Sequence, residues 1–467
     1  MDKNCFFYNH ERTNYCGDFI PFYDKKSDEY HLFYILGSSW YHISTKDFVN
    51  FKEYGLAIEG GFKEDCDKDI YTGCVVEKDG CYYIYYTGHN GEPDYEHPFR
   101  EVTLRATSHD LIHWIKDKEW KLEPDTNYFG GGAWRDPYVF YDDDSQTYKM
   151  IITASMKYNV WKRWGCTAMY QSRDMLNWSY DSVMYEPVAN DSHECGDVFK
   201  IGDWYYLVYS TYARNWETHY RMSKSINGPW LKPKEDMFDG RAYYAAKTVS
   251  NCKNRYLIGW ACRKEEEQDS NPYGWSGSLV VHEIRQKLDG SLFAVMPESV
   301  EKAFSKHVSM SPGESLGVFK DSGNNYQCNS WGRFSCLLFE KMDYDESYLI
   351  KGKIRFKEKA SAAGLMLRVD NLVLEHYYQV KINFLNEKFS LERASNFFEN
   401  HKFDEERNIK ISDQMVEFKI LISGSMTVMY INDTALCARL YDVKDGSLGF
   451  FVEEGSAELF DLCVYKK

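Results

Sequence analysis

Three carboxylic acids stand at the starts of predicted strands, where they could carry out acid–base or nucleophilic chemistry together. Asp136 follows the glycine run Gly130–Gly132 and precedes the apolar stretch Tyr138-Val139-Phe140. Burial of an unpaired carboxylate costs several kcal/mol, so an acid at such a place is normally paired, solvated by a cleft, or used. Asp18 and Glu194 occupy similar positions in the sequence. The elements that carry these acids decide whether they meet.

A repeated order of segments supplies those elements. Each copy contains an apolar strand, a strand rich in aromatic residues, and a polar segment that is closed by an aromatic residue in most copies. The copies begin near residues 18, 72, 136, 194 and 244. Their length slightly exceeds the roughly 40–50 residues of a four-stranded blade with short loops. The repeats therefore predict an all-β fold that begins with a five-bladed β-propeller, whose first strands line a central channel.

Superposition of the copies places the three acids at one repeat position. The second and fifth copies carry uncharged residues there, in Tyr71-Thr72-Gly73 and Tyr243-Tyr244-Ala245. Ordinary turn acids would not be expected to coincide in this way. We therefore expect Asp18, Asp136 and Glu194 to converge on one end of the channel as a catalytic cluster.

The repeats stop after about residue 298, and alternating apolar and polar segments with turns follow. This pattern is typical of an antiparallel β-sandwich. The predicted organisation is a propeller at 1–298, a linker or short helix at 299–308 and a sandwich at 309–467. The sandwich could bind carbohydrate, or it could be a packing module against the propeller.

Composition excludes several kinds of partner. A net charge of −15 argues against nucleic acid and against an anionic membrane surface. The 13 cysteines are scattered and form no Cys-x-x-Cys pair, so we expect neither a disulfide framework nor a metal site, and no organic cofactor is implied. The first ten residues lack a basic segment followed by an apolar one, which predicts a cytoplasmic protein. The oligomeric state stays open.

Several motifs together resemble glycoside hydrolase family 32, the invertase and fructan hydrolase group. They are Arg135-Asp136-Pro137, Glu194-Cys195, Trp40-Tyr41-His42 and the segment from Ser108 to Trp114. The resemblance implies a β-fructofuranosidase-like enzyme that removes terminal fructosyl units from short oligosaccharides with retention of configuration. It also implies the roles of the acids, with Asp18 as the nucleophile, Glu194 as the acid/base and Asp136 as the residue that stabilises the transition state. Glu194 is the acid expected to stay protonated near neutral pH.

Other residues are candidates for binding the sugar. Trp40, Trp134 and Tyr71 could stack on it or be plain core aromatics, and Cys195 could tune Glu194 or merely pack. Lys247 replaces a glutamine of the family pattern, so it could bind a phosphorylated or acidic substrate or pair with one of the three acids. Where the family has an asparagine before the nucleophile, this chain has Gly17. The complete set of binding candidates is Arg135, Trp40, Trp134, Tyr71, Thr72, Cys195, Tyr243 and Lys247.

Two other functions compete with a retaining fructosidase. A related five-bladed enzyme could act with inversion on arabinose or xylose units, and the stereochemistry of the product separates it from a retaining enzyme. A catalytically silent sugar-binding protein is the third alternative, because a propeller alone does not prove chemistry.

Overall fold

The structure is a computed structural model that describes residues 6–10, 16–158, 162–212, 215–357, 360–394 and 402–467. Strands make up nearly all of its regular structure, and the predicted combination of a five-bladed propeller with a C-terminal β-sandwich is confirmed. The chain divides into two compact units. The first consists of Asn9–Cys262 and Trp275–Leu292, and the second of the described residues up to Tyr8, Arg263–Gly274 and Phe293–Lys467.

Five antiparallel sheets, each built from consecutive strands, form the propeller. Blade one contains β1 (Cys16–Asp24), β2 (Glu29–Leu36), β3 (Ser39–Thr45) and β4 (Lys52–Ile58). Blade two contains β5 (Asp69–Lys78), β6 (Cys81–His89), β7 (Glu101–Ser108) and β8 (Ile115–Leu122). Blade three contains β9 (Phe129–Asp142), β10 (Thr147–Met156), β11 (Gly165–Ser172) and β12 (Ser179–Tyr185). Blade four contains β13 (Glu194–Ile201), β14 (Trp204–Thr211) and β15 (Glu217–Ser223), and blade five contains β16 (Tyr243–Ser250), β17 (Arg255–Lys264), β18 (Tyr273–Gln286) and β19 (Leu292–Val295).

The first strand of each blade contacts the first strands of its two neighbours, in the closed order β1, β5, β9, β13, β16 and back to β1. Side chains of a strand alternate between its two faces, so the middle strands bury apolar residues towards both adjoining blades. Trp40, Ile70 and Ile84 belong to one such core between the first two blades. This packing fixes the starts of the five inner strands around one axis, which is what a shared site at the end of the channel requires.

The second unit contains a large antiparallel sheet and one short helix, α1 (Glu298–Lys302). Its strands are β20 (Lys306–Val308), β21 (Ser315–Leu316), β22 (Phe319–Asp321), β23 (Tyr326–Met342), β24 (Ser347–Phe356), β25 (Ala362–Val369), β26 (Tyr377–Asn383), β27 (Lys388–Ala394), β28 (Lys402–Asn408), β29 (Met415–Ser423), β30 (Met426–Ile431), β31 (Thr434–Arg439) and β32 (Gly446–Lys466). Helix α1 and strand β20, which pairs with β32, occupy most of the stretch predicted as a linker. No helix within the described ranges is long and apolar enough to cross a membrane.

Residues Arg263–Gly274 belong to this second unit although they lie between two propeller strands in sequence. They include a one-turn 3-10 helix at Glu265–Glu267. The buried carboxylate of Asp269 accepts the backbone N–H of Tyr441 at 2.9 Å and the hydroxyl of Tyr378. A buried acid needs such donors, so these bonds anchor the segment within the unit.

The burial of two histidines in the core of the first blade indicates how the free energy of unfolding depends on pH. Nδ1 of His31 lies 2.8 Å from Nε2 of His42, and the His42 ring is stacked between Phe33 and Tyr54. Burial and the neighbouring His31 lower the pKa of His42 to about 3, and burial also lowers the pKa of His31. Both rings are therefore neutral in the folded protein near pH 7, whereas in the unfolded chain they bind protons below about pH 6.5.

We expect the free energy of unfolding to fall as the pH drops from about 6.5 towards 3, because the unfolded state then binds more protons than the folded state. His42 contributes a slope of about 1.4 kcal/mol per pH unit in this window. Replacement of His42 by glutamine should remove part of the slope, measured from urea unfolding at pH 7 and pH 5. The control is His113→Gln, since the His113 side chain is exposed. An unchanged slope in His42→Gln would contradict the prediction.

Candidate active site

A cavity of about 570 Å³ lies at the starts of the inner strands of the propeller. Its lining combines four carboxylates and one guanidinium with an aromatic wall. The lining residues are Asp18, Ile35, Gly37, Tyr71, Glu101, Arg135, Asp136, Glu194, Cys195, Tyr212, Trp216, Tyr244 and Trp275. All three acids predicted from the repeats are therefore brought together in one cavity.

A β-bulge at the start of each inner strand positions these side chains. The strand pairing is interrupted directly after Gly17, Tyr71, Arg135, Glu194 and Tyr244, one residue from each blade. In four blades the next residue has a positive φ, and these residues are Asp18 (49°), Asp136 (60°), Cys195 (54°) and Ala245 (52°). Aspartate is enriched in this left-handed region, which is uncommon for residues other than glycine. Bulges redirect side chains and are frequent beside active sites.

The bulges correct the predicted alignment of the fourth and fifth repeats by one residue each, since Ala245 likewise takes the place predicted for Tyr244. Glu194 precedes its bulge and is equivalent to Arg135, whereas Cys195 takes the place of Asp18 and Asp136. The expectation that all three acids share one repeat position is therefore wrong. They still converge, because residues on both sides of a bulge face the cavity in blades three and four.

Asp18 and Asp136 are held by different donors. Oδ1 of Asp18 accepts the indole N–H of Trp260 at 3.1 Å. Asp136 is 3 % exposed, and its Oδ2 accepts the backbone N–H of Cys195 at 2.7 Å. Asp18 is the less buried of the two in the cavity wall. Asp18 is thus partly accessible, whereas the N–H of Cys195 holds the buried Asp136.

Glu194 is bound on both carboxylate oxygens. Oε1 accepts Nη2 of Arg135 at 2.8 Å and Nε of the same guanidinium at 3.1 Å, while Oε2 accepts the hydroxyl of Tyr244. The opposite side of the Arg135 guanidinium donates to both oxygens of Glu101, at 3.1 and 3.2 Å. Oε2 of Glu101 also accepts the backbone N–H of Trp134 at 2.7 Å. Arg135 therefore bridges two acids, and its planar fork restricts the orientation of Glu194.

The electrostatics of the cluster favour retention of protons. Burial, Asp136 and Glu194 together raise the pKa of Asp18 to about 7. Burial also raises the pKa of Asp136 and that of Glu194, although Arg135 opposes both shifts. Neighbouring carboxylates cannot all ionise freely in a buried site, so the group titrates as a unit. Such a site can hold one protonated and one ionised carboxyl near neutral pH, the combination that general acid catalysis with a nucleophile needs.

Aromatic side chains form another part of the cavity lining. Trp216 contacts Tyr244 and Trp260, with ring centroids 4.8 and 6.1 Å apart. Trp275, which is 38 % exposed, packs edge-on against Trp260. A Cβ atom on Gly17 would lie 3.1 Å from Cζ2 of Trp275, so the glycine allows the indole its close approach to the strand beside Asp18. The cavity lining therefore combines polar and aromatic side chains, a combination suited to a sugar ring.

Among the predicted binding residues, Arg135, Tyr71 and Cys195 line the cavity with the three acids. The Tyr71 ring is stacked on His89, with centroids 4.5 Å apart, and presents its remaining surface to the cavity. Cys195 contributes its backbone N–H to Asp136.

Four other predicted binding residues are in the core, and the prediction that they contact sugar is wrong. Trp40 and Trp134 are 0 % and 2 % exposed, and their indole N–H groups donate to main-chain carbonyls of Tyr71 and Leu122. Tyr243 is buried, and its hydroxyl donates to the carbonyl of Leu257 at 3.2 Å. Thr72 is buried as well, and its carbonyl accepts the hydroxyl of Thr87. These side chains lie in the core because a densely packed interior needs side chains that fill the space between the strands.

Lys247 is also buried, with an exposed fraction of 1 %, so it does not reach a substrate in the cavity. Its ammonium donates to the carbonyl of Gly196 at 3.0 Å and lies 5.4 Å from the centre of the Tyr138 ring. A direct contact of Lys247 with a phosphorylated substrate is therefore wrong. Its charge nevertheless lowers the pKa of Asp18 and that of Asp136.

Sequence reasoning missed several residues of the site. Glu101 begins the third strand of its blade, outside the inner strands on which the repeat alignment concentrated. Tyr244 occupies the repeat position of Glu194, as in the predicted alignment, but its hydroxyl was not recognised as a partner of that acid. Trp216 and Trp275 lie before or at the start of outer strands, where no repeat signal points to the cavity. Within the described ranges, no group of three or more His, Cys, Asp or Glu side chains is arranged to hold a metal ion.

Comparison with known proteins decides the family. A family model described as the glycosyl hydrolases family 32 N-terminal domain matches residues 15–292, which is more than half of the chain. The chain belongs to glycosyl hydrolases family 32. It is therefore a glycoside hydrolase, and the matched region contains every residue that lines the cavity.

Relatives within family 32 match over nearly the whole chain. A sucrose-6-phosphate hydrolase of Escherichia coli is 24% identical over 93% of this chain and 88% of its own length. A raffinose invertase of Escherichia coli is 24% identical over 90% of this chain and 85% of its own length. The solved structure of an exo-inulinase from Aspergillus awamori superposes with a TM-score of 0.75 at 16% identity, covering 100% of this chain and 98% of that one. The structural match supports the fold, and the sequence matches support the family.

Proposed function

We propose that the protein is a retaining β-fructofuranosidase that cleaves terminal fructosyl units from short oligosaccharides. The observation that carries the proposal is the meeting of Asp18, Asp136 and Glu194 in one cavity, with Arg135 bound to Glu194. The chemistry of glycoside hydrolysis needs a negative charge on one face of the anomeric carbon and a proton donor on the other. The relatives named as an invertase and as sucrose-6-phosphate hydrolases support a fructoside as the substrate.

We assign the three acids the roles that the resemblance to glycoside hydrolase family 32 implies, and the accessibility of Asp18 in the cavity supports its role. Asp18 attacks the anomeric carbon of the fructosyl unit while Glu194 donates its proton to the leaving oxygen, which yields a covalent fructosyl-enzyme and a free alcohol. Glu194 then removes a proton from water, the water oxygen attacks the anomeric carbon, and Asp18 leaves as a carboxylate. Asp136, fixed by the N–H of Cys195, is placed to accept sugar hydroxyls and to stabilise positive charge in the transition state.

The charge of the cavity favours a neutral substrate over a phosphorylated one. Arg135 is the one cation among the described residues that line the cavity, and Glu101 and Glu194 already occupy its donors. A phosphate would have to compete with these two carboxylates and approach four acids. We expect sucrose to be a better substrate than sucrose 6-phosphate, in contrast to the activity that the name of the Escherichia coli hydrolase states.

A hydrolysis screen tests this function. The substrates are sucrose, kestose, inulin and levan oligosaccharides, sucrose 6-phosphate, and aryl arabinosides and xylosides. We expect release of fructose, and a kcat/KM for sucrose at least about tenfold above that for sucrose 6-phosphate, which corresponds to about 1.4 kcal/mol of differential binding. The anomer first formed, followed by NMR, should retain the configuration of the substrate.

Other outcomes identify the alternatives. Preferred cleavage of sucrose 6-phosphate would show that a cation outside the described lining binds the phosphate. An inverted anomer from an arabinoside or xyloside would exclude Asp18 as nucleophile. Binding of sugars without turnover during long incubation would support a silent binding protein.

A further inference from the structure

We propose that the buried ammonium of Lys247 acts as a counter-charge to the carboxylate cluster and favours the ionised form of Asp18, so that Lys247 is a positioning and charge-tuning residue for catalysis. This inference rests on the proposed function of the same site. It concerns a residue that neither lines the cavity nor contacts the substrate.

Geometry places Lys247 directly behind the cavity wall. Its Nζ donates to the carbonyl of Gly196 at 3.0 Å, and Gly196 follows Cys195, whose N–H binds Asp136 at 2.7 Å. The bulge after Tyr244 sets the register of Lys247, which pairs across the sheet with Ile258. One strand start thus presents Tyr244 to Glu194 and places Lys247 beneath the acids.

A buried ammonium needs compensation. Taking an ion out of water costs several kcal/mol even in a relaxed protein interior, and one main-chain carbonyl offsets only part of this. The face of the Tyr138 ring, 5.4 Å away, supplies a weaker cation–π contribution. The nearby carboxylates are the groups whose charge can offset the remainder, and by reciprocity the ammonium stabilises their ionised forms.

Lys247 also has titratable neighbours outside the cavity lining. Lys247 lowers the pKa of the Cys74 thiol and Asp197 raises it, so both charged side chains lie near this thiol. Arg255 in turn is close enough to Asp197 and Tyr138 for both to affect its pKa. The titratable groups that Lys247 affects are Asp18 on β1, Cys74 on β5, Asp136 on β9 and Cys195 on β13, and the Tyr138 ring on β9 lies 5.4 Å from its ammonium. Asp197 on β13 accepts the N–H of Thr248, the residue after Lys247, and Arg255 on β17 and Glu194 on β13 interact in turn with Asp197 and Asp136.

The test is the pH profile of kcat/KM for sucrose with Lys247→Gln. Glutamine has an amide donor for the Gly196 carbonyl but no charge. Lys247 lowers the pKa of Asp18, so removal of its charge should move the acidic limb of the profile to higher pH by about 0.5–1 unit. The variant should then lose activity three- to tenfold at pH values below the midpoint of the limb and change little at higher pH. A merely structural residue would lower activity equally at every pH.

A second variant should shift the limb in the opposite direction. Asp197→Asn keeps an oxygen acceptor for the N–H of Thr248, the residue after Lys247, and removes a buried negative charge. The acidic limb should then move to lower pH. This variant decides the question alone if Lys247→Gln does not fold, as judged by circular dichroism and thermal unfolding.

The matched control is Lys149→Gln. Lys149 is likewise a buried lysine of the propeller, but its ammonium pairs with Asp181 at 2.8 Å, away from the cavity. The acidic limb of the kcat/KM profile of Lys149→Gln should coincide with that of the wild type. An unshifted limb in both Lys247→Gln and Asp197→Asn would overturn the proposal while leaving the fructosidase assignment intact, whereas the assignment itself fails if the wild type does not cleave fructosides.

Discussion

Replacement of Asp18 by asparagine is expected to lower kcat/KM for fructosides by about 10⁴-fold or more, the scale seen when a catalytic nucleophile is removed. The carboxylate is accessible in the cavity and is held by the indole N–H of Trp260 at 3.1 Å. An amide of the same shape can keep that hydrogen bond and is also tolerated at the positive φ of 49°. The loss would therefore report chemistry rather than folding.

Covalent trapping checks the role of Asp18 directly. In a Glu194→Gln background, an aryl fructoside with a good leaving group should let the fructosyl-enzyme accumulate, because its breakdown lacks a general base. Mass spectrometry of peptides should find one fructosyl unit on Asp18. Asp24→Asn is the control, since Asp24 lies at the opposite end of β1 and should leave kcat/KM unchanged. Full activity in Asp18→Asn, or an adduct on another residue, would refute the assignment.

Glu194→Gln is expected to lower kcat for sucrose by about 10²–10⁴-fold, the usual contribution of general acid–base catalysis. The sugar leaving group of sucrose needs protonation, whereas an activated aryl leaving group does not. The loss in the glycosylation step should therefore be much smaller for the aryl fructoside. Added azide should accelerate turnover of this substrate, because azide attacks the fructosyl-enzyme without needing a base.

Measurement of both substrates in one variant makes this prediction specific. A disrupted site would lose activity on the two substrates equally and would not respond to azide. Glu283→Gln is the matched control, because Glu283 is a buried glutamate of the same propeller that pairs with Arg285 and does not line the cavity. Unchanged sucrose turnover in Glu194→Gln would exclude Glu194 as the acid.

The hydrogen bonds of Glu194 affect how kcat/KM depends on pH. Both Arg135 and Tyr244 donate to its ionised form, which opposes the rise in its pKa that burial causes. Asp18, whose pKa is raised to about 7, must lose its proton for the attack. The profile of kcat/KM therefore reports macroscopic values of a coupled cluster, not the titration of single residues.

The amino-acid sequence by itself determined the architecture and singled out the three acids of the site. Aromatic strands in five repeats can bury their faces only against one another, so their number and spacing dictated a propeller. A carboxylate beside an apolar strand is costly unless it has a purpose, and this physical conflict made Asp18, Asp136 and Glu194 recognisable. Arg135 could be found in the same way, because its neighbour in the chain is one of these acids.

Only the tertiary structure decided the register of the inner strands and which side chains surround those acids. A bulge adds one residue to a strand and turns every following side chain to the other face, and repeat similarity does not reveal on which residue it falls. Glu194 and Cys195 therefore each lie one repeat position away from the predicted one. The faces of Trp40 and Trp134 were likewise set by packing between blades, whereas Trp275 reached the cavity from a distant strand. Glu101 and Lys247 act on the acids through space, and such contacts depend on which strands become neighbours in the closed ring.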